Sequence, residues 1–315
     1  MKFHLNHKPL LSDDKISHRT PVFLMGSCFT QNIGAALTEH KFKTCINPNG
    51  ILFNPLSIDN SLRSLIYKLP FDEKQVLERD GIFLSYHHHS SISAASKDEL
   101  ITKINSETNQ SSMFLNKAKF LIISFGTAFT YFHKDLSLAV ANCHKQDASL
   151  FEKRLLKVEE IVDSYTQLIS DLHAFNPELK IIFTVSPVKH LRDGIEQNNL
   201  SKATLLLSIH QILKKQATCF YFPAFELIND DLRDYRFYEE DLAHPNKLAL
   251  DYVWKKFSEC YFSEATLQLN KLIGKLNRAL DHRPIHGSST EQSKLEEYVD
   301  ARKTEIKSLF LEIEF

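Results

Sequence analysis

Apolar residues along this chain gather into short continuous runs that stop at glycine or at a polar cluster. Each run gives way to a stretch with apolar positions three and four apart. The first run, Val22-Phe23-Leu24-Met25, ends at Gly26 and leads into a helical pattern over residues 31–40. A second, over 42–46, closes on the dense turn signal Asn47-Pro48-Asn49-Gly50. Runs over 119–125, 179–185 and 219–222 repeat the theme, and the first of these ends at Gly126. Helices are predicted over 55–68, 97–106, 151–175, 202–217 and 246–262, and short strands over 82–88 and 138–141. The 151–175 segment, with Leu155, Val158, Ile161, Leu168 and Leu172 on one face, reads as the longest core helix.

Strands apolar on both faces that alternate with helices argue an α/β fold, a central parallel sheet covered on each side. In such a sheet ligands bind beyond the carboxyl ends of the strands. Ser27, Cys28, Gly50, Thr127, Ser186 and His190 all fall just past a strand end. After Phe262 the character changes. Residues 267–280 read as a helix, 281–289 with Pro284 and Gly287 as a linker, and 294–315 as a charged helix. The expected division is a domain over 1–263 and a helical extension over 264–315, which packs on the core or makes a homo-oligomer.

Composition narrows the class. Hydrophobic content of 43 % is ample for a core, and a net charge of −1 offers no basic field to nucleic acid. No apolar run nears the roughly 18 residues of a membrane span, and residues 1–12 hold no apolar signal core. Five cysteines, an odd number without a CxxC pair, fit free thiols in the cytoplasm. No cofactor is expected. His87-His88-His89 reads as a polar loop rather than a metal site, because in a strand only two of the three share a face.

The candidate chemistry sits in the turns. A nucleophile at 27 or 28 meets the positive end of the following helix, a setting that lowers a thiol pKa and favours developing negative charge. In Asp241-Leu242-Ala243-His244-Pro245 the carboxylate stands three residues before the imidazole, close enough on a loop to fix its tautomer. His144, His190 and Arg192 lie in turns able to line a pocket, and Arg233 and Arg236 either hold an anion or tie loops to nearby aspartates.

Gly26-Ser27-Cys28-Phe29 resembles the signature of the GSCFA family, a bacterial family grouped with the SGNH (GDSL-like) hydrolases. Pro48-Asn49-Gly50-Ile51, Gly126-Thr127-Ala128, Asn142-Cys143-His144-Lys145, Ser186-Pro187-Val188-Lys189-His190 and Asp241-Leu242-Ala243-His244-Pro245 continue the likeness over residues 20–260. The resemblance implies an SGNH, flavodoxin-like three-layer sandwich and a triad with His244 as base and Asp241 as its partner. Its Gly-x-Ser pattern puts the nucleophile at Cys28, with Ser27 as the rival. The nucleophile's own N–H and that of Gly50 are the expected oxyanion donors. Ala128 stands where SGNH enzymes carry an asparagine donor, so Thr127, Asn54 or Asn142 must replace it or the activity differs. The implied function is acyl-ester hydrolysis or acyl transfer on a small-molecule or carbohydrate ester. The alternatives are a catalytically degenerate SGNH fold that binds a ligand or partner, and a redox pair Cys28/Cys143.

Overall fold

The computed structural model describes residues 5–281 and 289–313. The chain runs β1 (Val22–Gly26), α1 (Cys28–Glu39), β2 (Thr44–Ile46) and α2 (Pro55–Ile66). A hairpin, β3 (Leu77–Arg79) and β4 (Ile82–Leu84), precedes α3 (Lys97–Lys117) and β5 (Phe120–Phe125). Then come β6 (Phe129–His133), β7 (Leu138–Val140), β8 (Phe151–Leu155), α4 (Val158–Phe175), β9 (Lys180–Val185), α5 (Ile195–Lys215) and β10 (Cys219–Tyr221). The single turn α6 (Ala224–Glu226) widens into a π-helical turn, Leu227–Leu232, before α7 (Lys247–Tyr261), α8 (Glu264–Asp281) and α9 (Ser289–Leu309).

Five strands form a wholly parallel sheet in the order β2-β1-β5-β9-β10. Along each strand the side chains alternate between two cores. Phe23, Met25, Leu121 and Ile123 pack with Leu62, Leu168 and Ile209 from α2, α4 and α5. Val22, Leu24 and Ile122 pack with Ile33, Val253 and Phe257 from α1 and α7. The result is the three-layer α/β sandwich expected. The chain leaves β1 first to one side for β2 and then to the other for β5, so the direction of winding reverses between β1 and β5. That reversal opens a crevice at the carboxyl ends of those two strands.

The structure departs from the sequence reading in several places, four of them near the site or its supports. Residues 151–155 are not the start of the long helix. They form β8, the partner of β6 in a three-stranded antiparallel sheet of order β7-β6-β8. The strand expected over 82–88 stops at Leu84, and the histidine run lies in the turn beyond it. α3 continues to Lys117, well past the expected end at 106. α5 begins at Ile195 rather than 202.

Ile16 bridges to Phe262, and the N–H groups of Ser12 and Ile16 donate to Cys260 O and Tyr261 O, so the two ends of the core are clasped. α8 and α9 pack through Ile273, Leu276, Val299 and Ile306. They dock beside α1, where Asn277 Nδ2 donates to Glu39 O at 2.9 Å and Phe310 lies 5.7 Å from the His18 ring. Most of the linker expected over 281–289 lies outside the described residues. Among the described residues no helix is long and apolar enough to cross a membrane.

Candidate active site

The β1–α1 turn stands at the crevice. Gly26 takes φ +138°, and a Cβ there would fall 2.2 Å from Ser124 O on the neighbouring strand, so only glycine fits. Its N–H donates to Asn47 Oδ1 and its carbonyl accepts from Leu52 N–H, which pins the turn to the loop after β2. Ser27 is the N-cap of α1. Its hydroxyl accepts from Phe29 N–H and is hydrogen-bonded to Ser124 Oγ at 2.8 Å, and only 2 % of the residue is exposed. Cys28, the first residue of the helix, is half-buried. Burial pushes its thiol up, against the pull of its own backbone N–H. The direction is opposite to the lowering expected at a helix start, because losing solvent around the thiolate outweighs the backbone N–H.

Asp241 and His244 form a locked pair. Asp241 Oδ1 accepts the N–H groups of Ala243 and His244, both at 2.9 Å, and Oδ2 meets His244 Nδ1 at 2.6 Å. Those bonds, the backbone ones foremost, hold the Asp241 carboxyl down to about 2. An anionic Asp241 fixes the proton on Nδ1 and leaves Nε2 as the basic nitrogen. Both side chains are 49 % exposed. Lys189 N–H donates to Ala243 O, tying this loop to the one after β9. Among the described residues no hydrogen bond joins the His244 ring to Cys28 or Ser27. Contacts of this kind commonly tighten only when substrate is bound.

The expected oxyanion donors are differently engaged. Gly50, at φ +75°, donates its N–H to Asn47 O at 2.8 Å, because that turn needs the bond. Asn54 caps α2: its Oδ1 accepts from Ser57 N–H, and its amide donates to Ser57 Oγ and Val140 O. Thr127 Oγ1 is paired with Ser201 Oγ and accepts from Phe129 N–H. The N–H groups of Gly126 and Thr127 both donate to Phe53 O, and Ala128 is fully buried. Asn142 Oδ1 accepts from His144 N–H. Cys28 N–H, by contrast, has no partner from another described residue.

The family's sequence model matches residues 21–257, described as the GSCFA family. This chain is a GSCFA protein. No curated protein matches it. Among solved structures it is similar to a family 3 carbohydrate esterase from Talaromyces cellulolyticus, at 11 % identity and TM-score 0.36 over 81 % of this chain and 99 % of that one. It is also similar to a family 3 carbohydrate esterase from Clostridium thermocellum, at 8 % and 0.35 over 80 % and 97 %. A third is an acetyl xylan esterase from the rumen bacterium Butyrivibrio proteoclasticus, at 10 % and 0.38 over 82 % and 65 %.

The GSCFA segment spans β1 to α7 and so contains every residue of the crevice. It also contains one that the sequence reading missed. Lys202, fully buried on α5, donates from Nζ to Gly126 O at 2.6 Å and to Ser186 O at 2.7 Å. It straps the loop after β5 to the loop after β9, and burial lowers its pKa to about 7. The legible signal was a lysine in register with Leu205, Ile209 and Ile212 on the helix's apolar stripe.

Around the rim, His190 lies edge-on to Phe53 with its Nε2 buried and unpartnered. Burial first, then the nearby Lys202 and His244, lower it to about 4. His144 is buried and bonded through Nε2 to Ser85 O. Arg192 is exposed, and its charge acts on Cys143. Cys28 and Cys143 are both free thiols. His88 takes Asn49's amide on Nε2 and meets Ser85 Oγ through Nδ1, which makes it a neutral brace for the loop that carries Gly50.

Proposed function

We propose that this GSCFA protein hydrolyses or transfers acyl esters of small polar or carbohydrate molecules, with Cys28 as nucleophile, His244 as base and Asp241 as its anchor. The observation that carries the reading is the Asp241–His244 pair, locked by three hydrogen bonds that one carboxylate accepts. Ser27 is set aside because its hydroxyl serves the helix cap and Ser124.

His244 Nε2 takes the thiol proton as Sγ attacks the ester carbonyl. The resulting oxyanion faces Cys28 N–H at the helix start. Collapse returns the proton to the leaving alkoxide and leaves a thioester on Cys28. Water completes hydrolysis; an acceptor hydroxyl completes transfer, in each case with His244 removing the proton. A protonated resting thiol makes the base indispensable. Dependence on a reduced cysteine fits a reducing compartment.

The test is intact-mass analysis after exposure to a small acetyl thioester. Wild type and Ser27→Ala are expected to gain one acetyl group; Cys28→Ala and His244→Ala are not. Labelling that survives in Cys28→Ala and disappears in Ser27→Ala would overturn the assignment.

One observation favours a second reading, ligand binding without turnover. Gly50, Thr127, Asn54 and Asn142 all direct their expected donors or side chains at protein partners. Removing one oxyanion donor costs about 100–1,000-fold in rate. Absence of acylation in every variant, with saturable ligand binding intact, is the result that selects this reading.

A further inference from the structure

A polar hollow of about 360 Å³ adjoins the segments that support the Asp241–His244 loop. Lys189 and Tyr238 belong both to its wall and to the support of that loop. Lys189 N–H holds Ala243 O, Tyr238 bridges to Pro245, and Glu239 N–H donates to His244 O. The rest of the lining includes Asn229 and Asp230 from the π-helical turn and Arg233, held at φ +45° just after it. π-Turns of this kind recur at functional sites.

Lys189 is the unusual member. Its ammonium lies 3.9 Å from the Tyr238 ring centroid and 4.3 Å from that of Tyr235. Two ring faces attract the charge but accept no conventional hydrogen bond, so the three N–H donors remain to be satisfied. No carboxylate among the described residues forms an ion pair with Lys189 or with Arg233. Asp234, in the same lining, is paired with Arg236 at 2.9 Å. The hollow therefore offers two cations without ion-pair partners, together with an acceptor carboxylate, Asp230, and an amide, Asn229. A bare multivalent anion suits it poorly because Asp230 repels it. A molecule with one oxyanion and several hydroxyls satisfies both halves.

We propose that this hollow is the acceptor-side subsite and that its ligand is a hydroxylated small molecule carrying one carboxylate or phosphate. The oxyanion sits on Lys189 and Arg233, and the hydroxyls meet Asp230 and Asn229. The substrate class rests on the acyl-ester reading above; the binding site itself does not need it.

The experiment is calorimetric titration of the full chain at constant ionic strength with glucuronate, glucose 6-phosphate, glucose and inorganic phosphate. Glucuronate or glucose 6-phosphate is expected to bind at least about tenfold more tightly than glucose or phosphate, and the better of the two identifies the oxyanion. Lys189→Gln and Arg233→Gln, each checked for folding by circular dichroism, are expected to weaken that binding about tenfold, whereas His244→Ala leaves it in place. Equal affinity for glucose, equal affinity for bare phosphate, or a Lys189→Gln protein that binds like wild type overturns the proposal. In a second arm, the ratio of kcat/KM for acetylated glucuronate to that for acetylated glucose is expected to fall at least about fivefold in Lys189→Gln. If no ester turns over while the titrations succeed, the esterase reading fails and the subsite stands. If Cys28 is acylated while the titrations fail, the subsite fails alone.

Discussion

Two neighbouring side chains divide the labour of the β1–α1 turn. Ser27 has both its bonds inside the protein, and Cys28 is left half-buried with a free thiol. The same division applies to Asp241, where one oxygen builds the loop and the other orients the ring. Asp241→Asn keeps an oxygen for the two backbone N–H groups but puts a donor opposite Nδ1, which favours the wrong tautomer. The expected outcome is an unchanged melting temperature and a loss of about 100–10,000-fold in the rate of Cys28 acylation, measured by mass. Because burial keeps the Cys28 thiol protonated, alkylation by iodoacetamide is expected to be slower than that of free cysteine at pH 7. Its rate should still be climbing above pH 9, where free cysteine levels off. A rate profile that plateaus below about pH 8 would contradict the burial argument.

At the scale of elements, the parallel strands were legible because each is a mostly apolar run with a glycine or polar stop, and the crevice followed from their order. The second sheet was not. Phe-Glu-Lys-Arg-Leu at 151–155 mixes polar and apolar positions and adjoins a strongly helical pattern, so tertiary pairing with β6 decided its state. The start of α5 was hidden for a different reason. Its buried face there carries Asn198, Ser201 and Lys202, polar residues that interrupt the apolar stripe because they serve the loops at the crevice. The contact between Asp241 and His244 was foreseen from their spacing, whereas their part in a triad came from the family resemblance. The engagement of Gly50 and Asn54 was not legible, since it depends on how two loops fold back. Lys202→Met removes the donor shared by Gly126 O and Ser186 O. The expected cost is about 2–4 kcal/mol in urea unfolding, with slower Cys28 acylation as the two loops part. A variant as stable as wild type would show that the strap is dispensable.

Across the whole molecule, several imidazoles are buried without charge. His190 and His18 are lowered to about 4 and His88 to about 3, with burial the leading cause for each. In the unfolded chain these rings take up protons near pH 6.5, whereas in the folded chain they wait until pH 3–4. The unfolded state thus binds more protons across that window, and stability falls as the pH drops through it. His190 alone accounts for about 3 kcal/mol by pH 4. The melting temperature is expected to fall steadily from pH 7 to pH 4, less steeply in His190→Phe; a flat profile over that range would contradict the buried neutral rings. The clasp between residues 12–16 and 260–262 carries a consequence of another kind. The segment that leads into β1 finds its partners only after some 245 further residues have been made. On the ribosome, β1 and α1 must therefore wait with that flank open until α7 has emerged. The window for misassembly lasts for the synthesis of all the residues in between.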